Sequence, residues 1–477
     1  MLFGIMVVNY RGDLMKFEYT TANDIITYAK EAEGQYLYQI DKNNMFEKSN
    51  KKGMVGTIIE ESYFGLKTNN RPEPDFVDVG IELKSTGILP YKNKKDLRAK
   101  ERLVLNLINY NNEVDKDFYS SSFWIKNNKL LIFFYSYVRN KDGKPDYPNF
   151  EIIKTVLHEF SESDLIIIKK DWEKINRKII EGKAHELSES DTDYLGACTK
   201  GKDSSSMQPQ PFSTIKAKQR AYSLKQGYMT SLVQKYIGNK KTITFTTPDQ
   251  LQDNTIPELI YKYLEPYIGL NTQEIAKKLN VELSTAKNKN QILVSNIFGI
   301  KKTNLNDIEE FSKANIKFKT ITANMNGSLP ESMSFENLDF DDIYHNSWEE
   351  SILRDNLSSI KWLFIVFQKD ENDKHYLRGI KFWTIPNRIL DNEIKQLFNE
   401  IKELMLFNKT MEVIDGKVIN HLPNSLSFNN VCHIRPKGAN RIKSMITLPN
   451  GEEIPNQCFW FNNSYIKNIV SDILLIK

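Results

Sequence analysis

Apolar positions along the chain recur with two different periods. Spacings of three and four residues predict helices over 52–64, 98–110, 165–181, 217–236, 305–312, 389–406 and 463–476. Two continuous apolar runs, Leu130 to Val138 and Trp362 to Phe367, predict strands buried on both faces. Helices interleaved with buried strands imply an α/β layer architecture. Residues 198–213, rich in Ser, Gln and Pro, are loop by composition, and a second break at 238–256 predicts a linker.

One segment does not serve burial alone: Arg71-Pro-Glu-Pro-Asp75-Phe-Val-Asp-Val-Gly-Ile-Glu82-Leu-Lys84. Alternation from Val79 to Lys84 predicts a strand with Val79, Ile81 and Leu83 on one face. Gly80, Glu82 and Lys84 then share the other. Asp75 has the opposite parity, so the turn at Pro72 and Pro74 must deliver its carboxylate from a neighbouring segment. Upstream, the helix over 52–64 ends at Gly65 and turns Val55, Ile58, Ile59 and Tyr63 inward, with Glu60 at its edge. Three carboxylates and a lysine are the parts needed for metal-assisted phosphodiester hydrolysis. Hard oxygens hold Mg²⁺, which polarises the phosphate and acidifies water, while a lysine steadies the attacking water or the charged transition state. Taken alone, the triplet is weak and reads more readily as an ion pair on an edge strand.

Composition narrows the class. With 477 residues, 40% hydrophobic and 26% charged, the chain is an ordinary globular protein of two or three domains. A disordered chain, a fibre and a disulfide-stapled scaffold are excluded. The apolar stretch Met1 to Asn9 is too short for a membrane span and follows no basic segment, so neither a signal peptide nor a membrane partner is expected. Cys198, Cys432 and Cys458 suit a reducing cytoplasm, and the six histidines show no zinc-ligand spacing.

The net charge of +4 conceals clusters. From Lys200 to Lys241 nine basic residues stand against one acid, Asp203; Lys92 to Arg102 is also basic; and Arg435, Lys437, Arg441 and Lys443 have no acid among them. Each cluster alone is read as a solvated face; three in a balanced chain point to a phosphate-binding surface.

The pattern Lys52-Gly-x-Val-Gly-x-x-x-Glu60, followed by Asp75-x(4)-Gly-Ile-Glu82-Leu-Lys84-Ser, resembles the MutH-type mismatch-repair nucleases and their relatives among GATC-cutting restriction endonucleases. The likeness continues through Asp171-Trp-Glu, Glu181-Gly-Lys-Ala-His-Glu-Leu, Tyr194 to Gly201, Ile215-Lys216-Ala-Lys218 and Tyr222 to Tyr228. It covers roughly 17–237; residues 1–14 lie outside it, and Met15 is an alternative start. The resemblance implies the PD-(D/E)xK fold, a mixed sheet flanked by helices, with Asp75, Glu82 and Lys84 at its active edge and Glu60 as the helical carboxylate. These three carboxylates would hold Mg²⁺. A further catalytic lysine should open the next buried strand, where Lys126 stands and Lys129 competes. Lys200, Lys202, Lys216, Lys218 and Tyr222 fall where the family meets DNA.

The same plan recurs later in the chain. Phe76 to Thr86 lies over Phe311 to Ile321, and Ile125-Lys126 over Ile360-Lys361, both at an offset of 235. Phe64-Gly65 falls on Phe298-Gly299, Lys200-Gly201 on Lys437-Gly438, and Tyr228 on Tyr465. In this copy Asp75 becomes Glu310, Glu82 becomes Lys317 and Glu60 becomes Val294, while Lys319 and Lys361 keep the lysines. Such a site repels Mg²⁺ and attracts phosphate. His433-Ile-Arg435-Pro-Lys437-Gly-Ala-Asn-Arg441 resembles the family's recognition loop. Trp460 falls near the aromatic that senses the adenine and is read with equal weight as core.

The expected architecture is therefore a PD-(D/E)xK unit present twice: 15–240 catalytic, 241–256 linker, 257–477 a degenerate DNA-binding or effector unit. The expected function is Mg²⁺-dependent type II restriction of double-stranded DNA at GATC. An adenine or cytosine methyltransferase would be the cognate partner, and a monomer or a dimer on DNA is left open. The alternatives are a mismatch-repair nicking endonuclease and a non-catalytic DNA-binding regulator.

Overall fold

A computed structural model describes residues 5–8, 14–17, 21–47, 53–67, 71–90, 96–141, 143–201, 205–238, 243–286, 288–300, 305, 308–414, 417–436 and 445–475. The chain divides into two compact units, Met1–Asp253 with Ser312–Asn315, and Asn254–Phe311 with Ile316–Lys477. The division falls between Asp253 and Asn254, and the segment read as linker carries a short helix, Pro248–Asp253.

Unit 1 contains β1 (Ile5–Val8), β2 (Leu14–Phe17), β3 (Glu82–Pro90), β4 (Leu97–Ala99), β5 (Leu103–Leu107), β6 (Lys129–Ser136), β7 (Ile152–Glu159), β8 (Leu195–Thr199), β9 (Met207–Gln210), β10 (Ser213–Lys218) and β11 (Arg220–Leu224). Its main sheet has the order β4-β3-β6-β7, with β3 and β6 parallel and the other pairs antiparallel. The apolar run predicted one strand correctly. Leu130 to Phe134 are inaccessible on β6, because helices and loops cover both faces of the centre of the sheet. A second sheet, β5-β11-β8, is wholly antiparallel.

The helix read over 98–110 is absent; that stretch forms β4 and β5. Leu103-Val-Leu has apolar residues at every position, and pairing with β11 overrides its helical spacing. Over 217–236 only the second half, Gln226–Tyr236, is helical, since 217–224 supply β10 and the central strand β11. Over 165–181 the reading holds: helix Glu162–Ile180 buries Ile168, Trp172, Ile175 and Ile179 at helical spacing. Its Asp171 is buried as well, and accepts from the amides of Asp193 (2.7 Å), Tyr194 (2.6 Å) and Leu195 (2.9 Å), fixing the entry to β8. Burial and the neighbouring Asp193 charge lift its carboxyl to about 6.

Unit 2 contains β12 (Ile316–Ala323), β13 (Met333–Asn337), β14 (Lys361–Lys369), β15 (His375–Trp383), β16 (Met411–Ile414), β17 (Lys417–Asn420), β18 (Cys432–Pro436), β19 (Met445–Thr447), β20 (Glu453–Pro455) and β21 (Gln457–Phe461). β12 is parallel to β14 and β14 antiparallel to β15; the second sheet is antiparallel in the order β13-β21-β18. These pairing senses follow one another in the same chain order as β3, β6 and β7, then β5, β11 and β8, in unit 1. The run from Trp362 to Phe367 is the buried centre of β14. The helix expected over 463–476 ends at Val470, and that over 305–312 is only Glu309–Lys313 among the described residues.

Candidate active site

Two local devices gather the carboxylates at the start of β3. The first is a tight turn. The strand does not begin at Val79 as alternation implied, because Val77–Val79 is a 3₁₀ turn and Gly80 sits at φ +68, a left-handed conformation natural for glycine. The turn pairs Phe76 with Ile81, through Phe76 N to Ile81 O at 2.9 Å and Ile81 N to Phe76 O at 3.2 Å. Asp75 is thereby laid beside the strand. Its amide donates to Glu82 Oε2 at 3.1 Å, and its Oδ2 accepts from the amide of Leu83 at 2.8 Å. The Pro-flanked segment does deliver Asp75 from outside the strand.

The second device is a widened helix. Met54–Thr57 is α-helical, but Ile58–Tyr63 is π-helical, closed by Phe64 N to Ile59 O at 3.0 Å and ended by Gly65 at φ +66. Short π segments are costly and concentrate at functional sites. Here the widened turn carries Glu60. Tyr63 locks it in place, stacking on Tyr28 with ring centroids 4.5 Å apart. Each tyrosine hydroxyl donates to the other residue's carbonyl, at 3.1 and 2.7 Å.

Glu82 is 2% exposed. Burial pushes its carboxyl up; the Lys84 ammonium opposes this, Asp75 adds to it, and Lys126 opposes it further. Lys84 Nζ donates directly to Glu82 Oε1. Half-buried Glu60 is raised to about 7, first by burial and next by the Asp75 charge, with Lys84 pulling the other way. The three carboxylates thus lie in one another's fields. Among the described residues no three acidic, histidine or cysteine side chains are already drawn into a closed ion cage. The donor set is nevertheless three hard oxygens sharing one buried edge, chemistry that suits a small divalent cation.

Lys126 reaches this edge, though not from the start of a strand as expected. It lies in helix Ser122–Asn127, and its Nζ stands 3.7 Å from Glu82 Oε1. It also donates to the carbonyls of Arg71 (2.8 Å) and Glu73 (3.1 Å). Lys129, the first residue of β6, turns away to Glu159 at 3.4 Å. The carbonyls held by Lys126 were not read from the sequence, where backbone acceptors leave no signature beyond the flanking prolines.

The positions of unit 2 aligned with this edge in the sequence hold other side chains. Val294 is inaccessible, Glu310 is 3% exposed, and Lys319 donates to Ser334 O at 2.9 Å. The pairing of Lys361 with the Lys126 position needs correction. β14 opposes Lys317 with Trp362, whereas β6 opposes Glu82 with Leu130, so Lys361 holds the place of Lys129. From Glu82 to its partner Leu130 the chain advances 48 positions, but from Lys317 to Trp362 only 45, so the offset of 235 no longer holds at Lys361.

The DNA-facing residues separate into three groups. Lys200 and Lys216 are exposed on β8's end and β10, and Lys218 is half-buried. Tyr222 is not on a surface: it is inaccessible on the central strand β11, donates to Glu113 Oε2 at 3.3 Å and packs on Phe123, so a DNA contact is ruled out by burial. Lys202, Lys437 and Arg441 lie outside the described residues. Arg435 is exposed and lies 4.3 Å over the ring of Trp460, whose Nε1 donates to Arg435 O at 3.2 Å. Trp460 is half-buried, backed by His433, and so belongs to the surface of its sheet.

Residues 64–171 match the family described as DNA mismatch repair enzyme MutH. The chain is 34% identical, over 96% of its length, to the type II restriction enzyme Sau3AI of Staphylococcus aureus, of which it covers 99%. It is 27% identical to the DNA mismatch repair protein MutH of Shewanella woodyi, over 46% of this chain and 93% of that protein. Among the described residues no helix is long and apolar enough to cross a membrane. The full-length match, joined to a MutH segment that contains the Asp75–Glu82–Lys84 edge, shows that the chain belongs to the family of MutH-related type II restriction enzymes, which are site-specific deoxyribonucleases.

Proposed function

We propose that unit 1 cuts double-stranded DNA at GATC with Mg²⁺, and that unit 2 is a second, non-cutting copy of the same plan that binds DNA as a recognition or effector module. The gathering of Glu60, Asp75, Glu82, Lys84 and Lys126 at one sheet edge carries the first part. Asp75, Glu82 and Glu60 would hold the cation, which when bound polarises the scissile phosphate and lowers the pKa of water. Lys84 Nζ, already on Glu82, is placed to steady the attacking water or the developing charge. Lys126 ties the Arg71–Glu73 backbone to the same edge and so fixes Asp75.

The second part is supported by the shared order and sense of strand pairing in the two units. Further support comes from matching T-shaped pairs, Phe64 with Phe76 at 5.3 Å and Phe298 with Phe311 at 5.6 Å. The replacement of Glu60 and Glu82 by Val294 and Lys317 removes two of three oxygen donors. A methyltransferase protecting the host's sites is the partner this reading requires. Digestion of unmethylated plasmid by the purified chain in Mg²⁺ tests it. Discrete fragments ending at GATC are expected without any added protein; no cutting, or nicking only with mismatch-repair proteins, would overturn it.

A further inference from the structure

The hairpin of β9 and β10 presents an aromatic ring that its own fold does not use. Phe212, at its tip, is 75% exposed and sits at φ +58. Bulky residues rarely adopt the left-handed region, which costs about 1–2 kcal/mol where glycine is free of the penalty. Unit 2 offers an internal comparison. Its β19–β20 hairpin likewise lies in the chain between an edge strand and the central strand of an antiparallel sheet, β18 and β21, and places Gly451, at φ +88, in its connection. In unit 1 a shorter connection, Pro211-Phe212, accepts the left-handed strain on a phenylalanine and displays its ring.

The tip is held firmly. Gly182, at φ +69, leaves room for the hairpin backbone: a Cβ on it would stand 2.7 Å from Phe212 O. Buried Gln210 accepts from the amide of Ala184 at 2.7 Å, and its Nε2 donates to His185 Nδ1 at 3.0 Å. The ring is therefore projected from an anchored ribbon. Around it the ribbon exposes Met207, Ile215 and Lys216, and no acidic residue lies between Asp203 and Asp249. An apolar tip on a ribbon with basic and no acidic side chains is complementary to a stack of bases within a polyanion. Strained residues of this kind persist where they serve function.

We infer that Phe212 is a DNA-contacting wedge, inserting its ring against or between base pairs of the bound duplex while Lys200 and Lys216 meet the backbone. Two-stranded ribbons fit DNA grooves, and apolar side chains inserted at a base step unstack it. The inference rests on the reading that unit 1 binds and cuts duplex DNA.

The test compares the full-length wild type with Phe212→Gly. Glycine relieves the turn, so thermal stability should hold or rise, whereas a structural phenylalanine would be missed. Each protein is titrated, with Ca²⁺ in place of Mg²⁺, onto duplexes holding one GATC and 2-aminopurine at successive positions. The wild type should raise fluorescence at one or two adjacent positions; Phe212→Gly should not, and should bind about tenfold more weakly. Equal fluorescence and affinity for the two proteins would overturn the wedge, as would a flat wild-type profile or a lower melting temperature for the variant. A change in sedimentation at unaltered DNA affinity would overturn it in favour of a protein contact. Cutting of the same duplex by wild type in Mg²⁺ reports separately on the GATC assignment.

Discussion

At Glu82, burial and charge pull in opposite directions: the carboxylate is withdrawn from water, repelled by Asp75, and held by Lys84 and Lys126. Removing one lysine should therefore disturb the site far more than removing a lysine nearby. Lys126→Ala is expected to slow cleavage about 10²–10³-fold, the range for losing one positioned donor, with DNA binding retained. Lys129→Ala, whose ammonium faces Glu159, should leave the rate within about twofold, as for a surface ion pair. Single-turnover rates of the two variants decide between them. Away from this site, His158 is 1% exposed, between the hydroxyls of Tyr236 (3.3 Å) and Tyr228 (3.2 Å), and burial lowers its pKa from 6.5 to about 4. Between those values the unfolded chain takes up a proton that the folded chain refuses. The stability His158 carries is thus complete above pH 6.5 and is lost as the pH falls toward 4. Urea melts should show wild type losing up to about 3 kcal/mol more over that window than His158→Gln.

Among the elements, those with one dominant signal were legible in the sequence: the apolar runs of β6 and β14, and the long amphipathic helix Glu162–Ile180. Elements whose structure depends on a distant partner were not. β5 and β11 carry apolar residues that satisfy either period, and pairing selects strand, β5 with β11 and β11 also with β8. Tyr222 was misplaced for the same reason, because its neighbours in sequence gave no sign that β11 is central. The candidate acids stand out in the sequence only through the family resemblance, since their spacing alone favours an ion pair, and their assembly is not legible there. It depends on Gly80, whose left-handed turn sets Asp75 against Glu82, and on a π turn that no periodicity announces. Gly80→Ala meets no atom within 4 Å, so its cost is conformational alone. It should lower stability by about 1 kcal/mol and reduce cleavage more than that loss explains, because the strained turn would relax Asp75 away from Glu82. Thermal melts read beside cleavage rates separate the two effects.

On the scale of the whole molecule, the proposed function divides the chemistry between two units, whose β3-β6-β7 and β12-β14-β15 pairings run in the same senses. One keeps an acidic edge; the other has Lys317, Lys319 and buried Val294 at the comparable places, and offers Arg435 stacked on Trp460. If unit 2 contributes binding, Arg435→Ala should weaken binding of a GATC duplex about tenfold and reduce the slope of log affinity against log salt by about one, with no effect on single-turnover cutting at saturating enzyme. An unchanged slope and affinity would remove unit 2's exposed arginine from the DNA contact. The central claim, that hydrolysis belongs to the Asp75–Glu82–Lys84 edge of unit 1, is tested most directly by Glu82→Ala on an end-labelled GATC duplex in Mg²⁺, followed for binding and cleavage together. The account predicts a shifted complex of near wild-type affinity and no cleaved strand; cutting at the wild-type rate would contradict it.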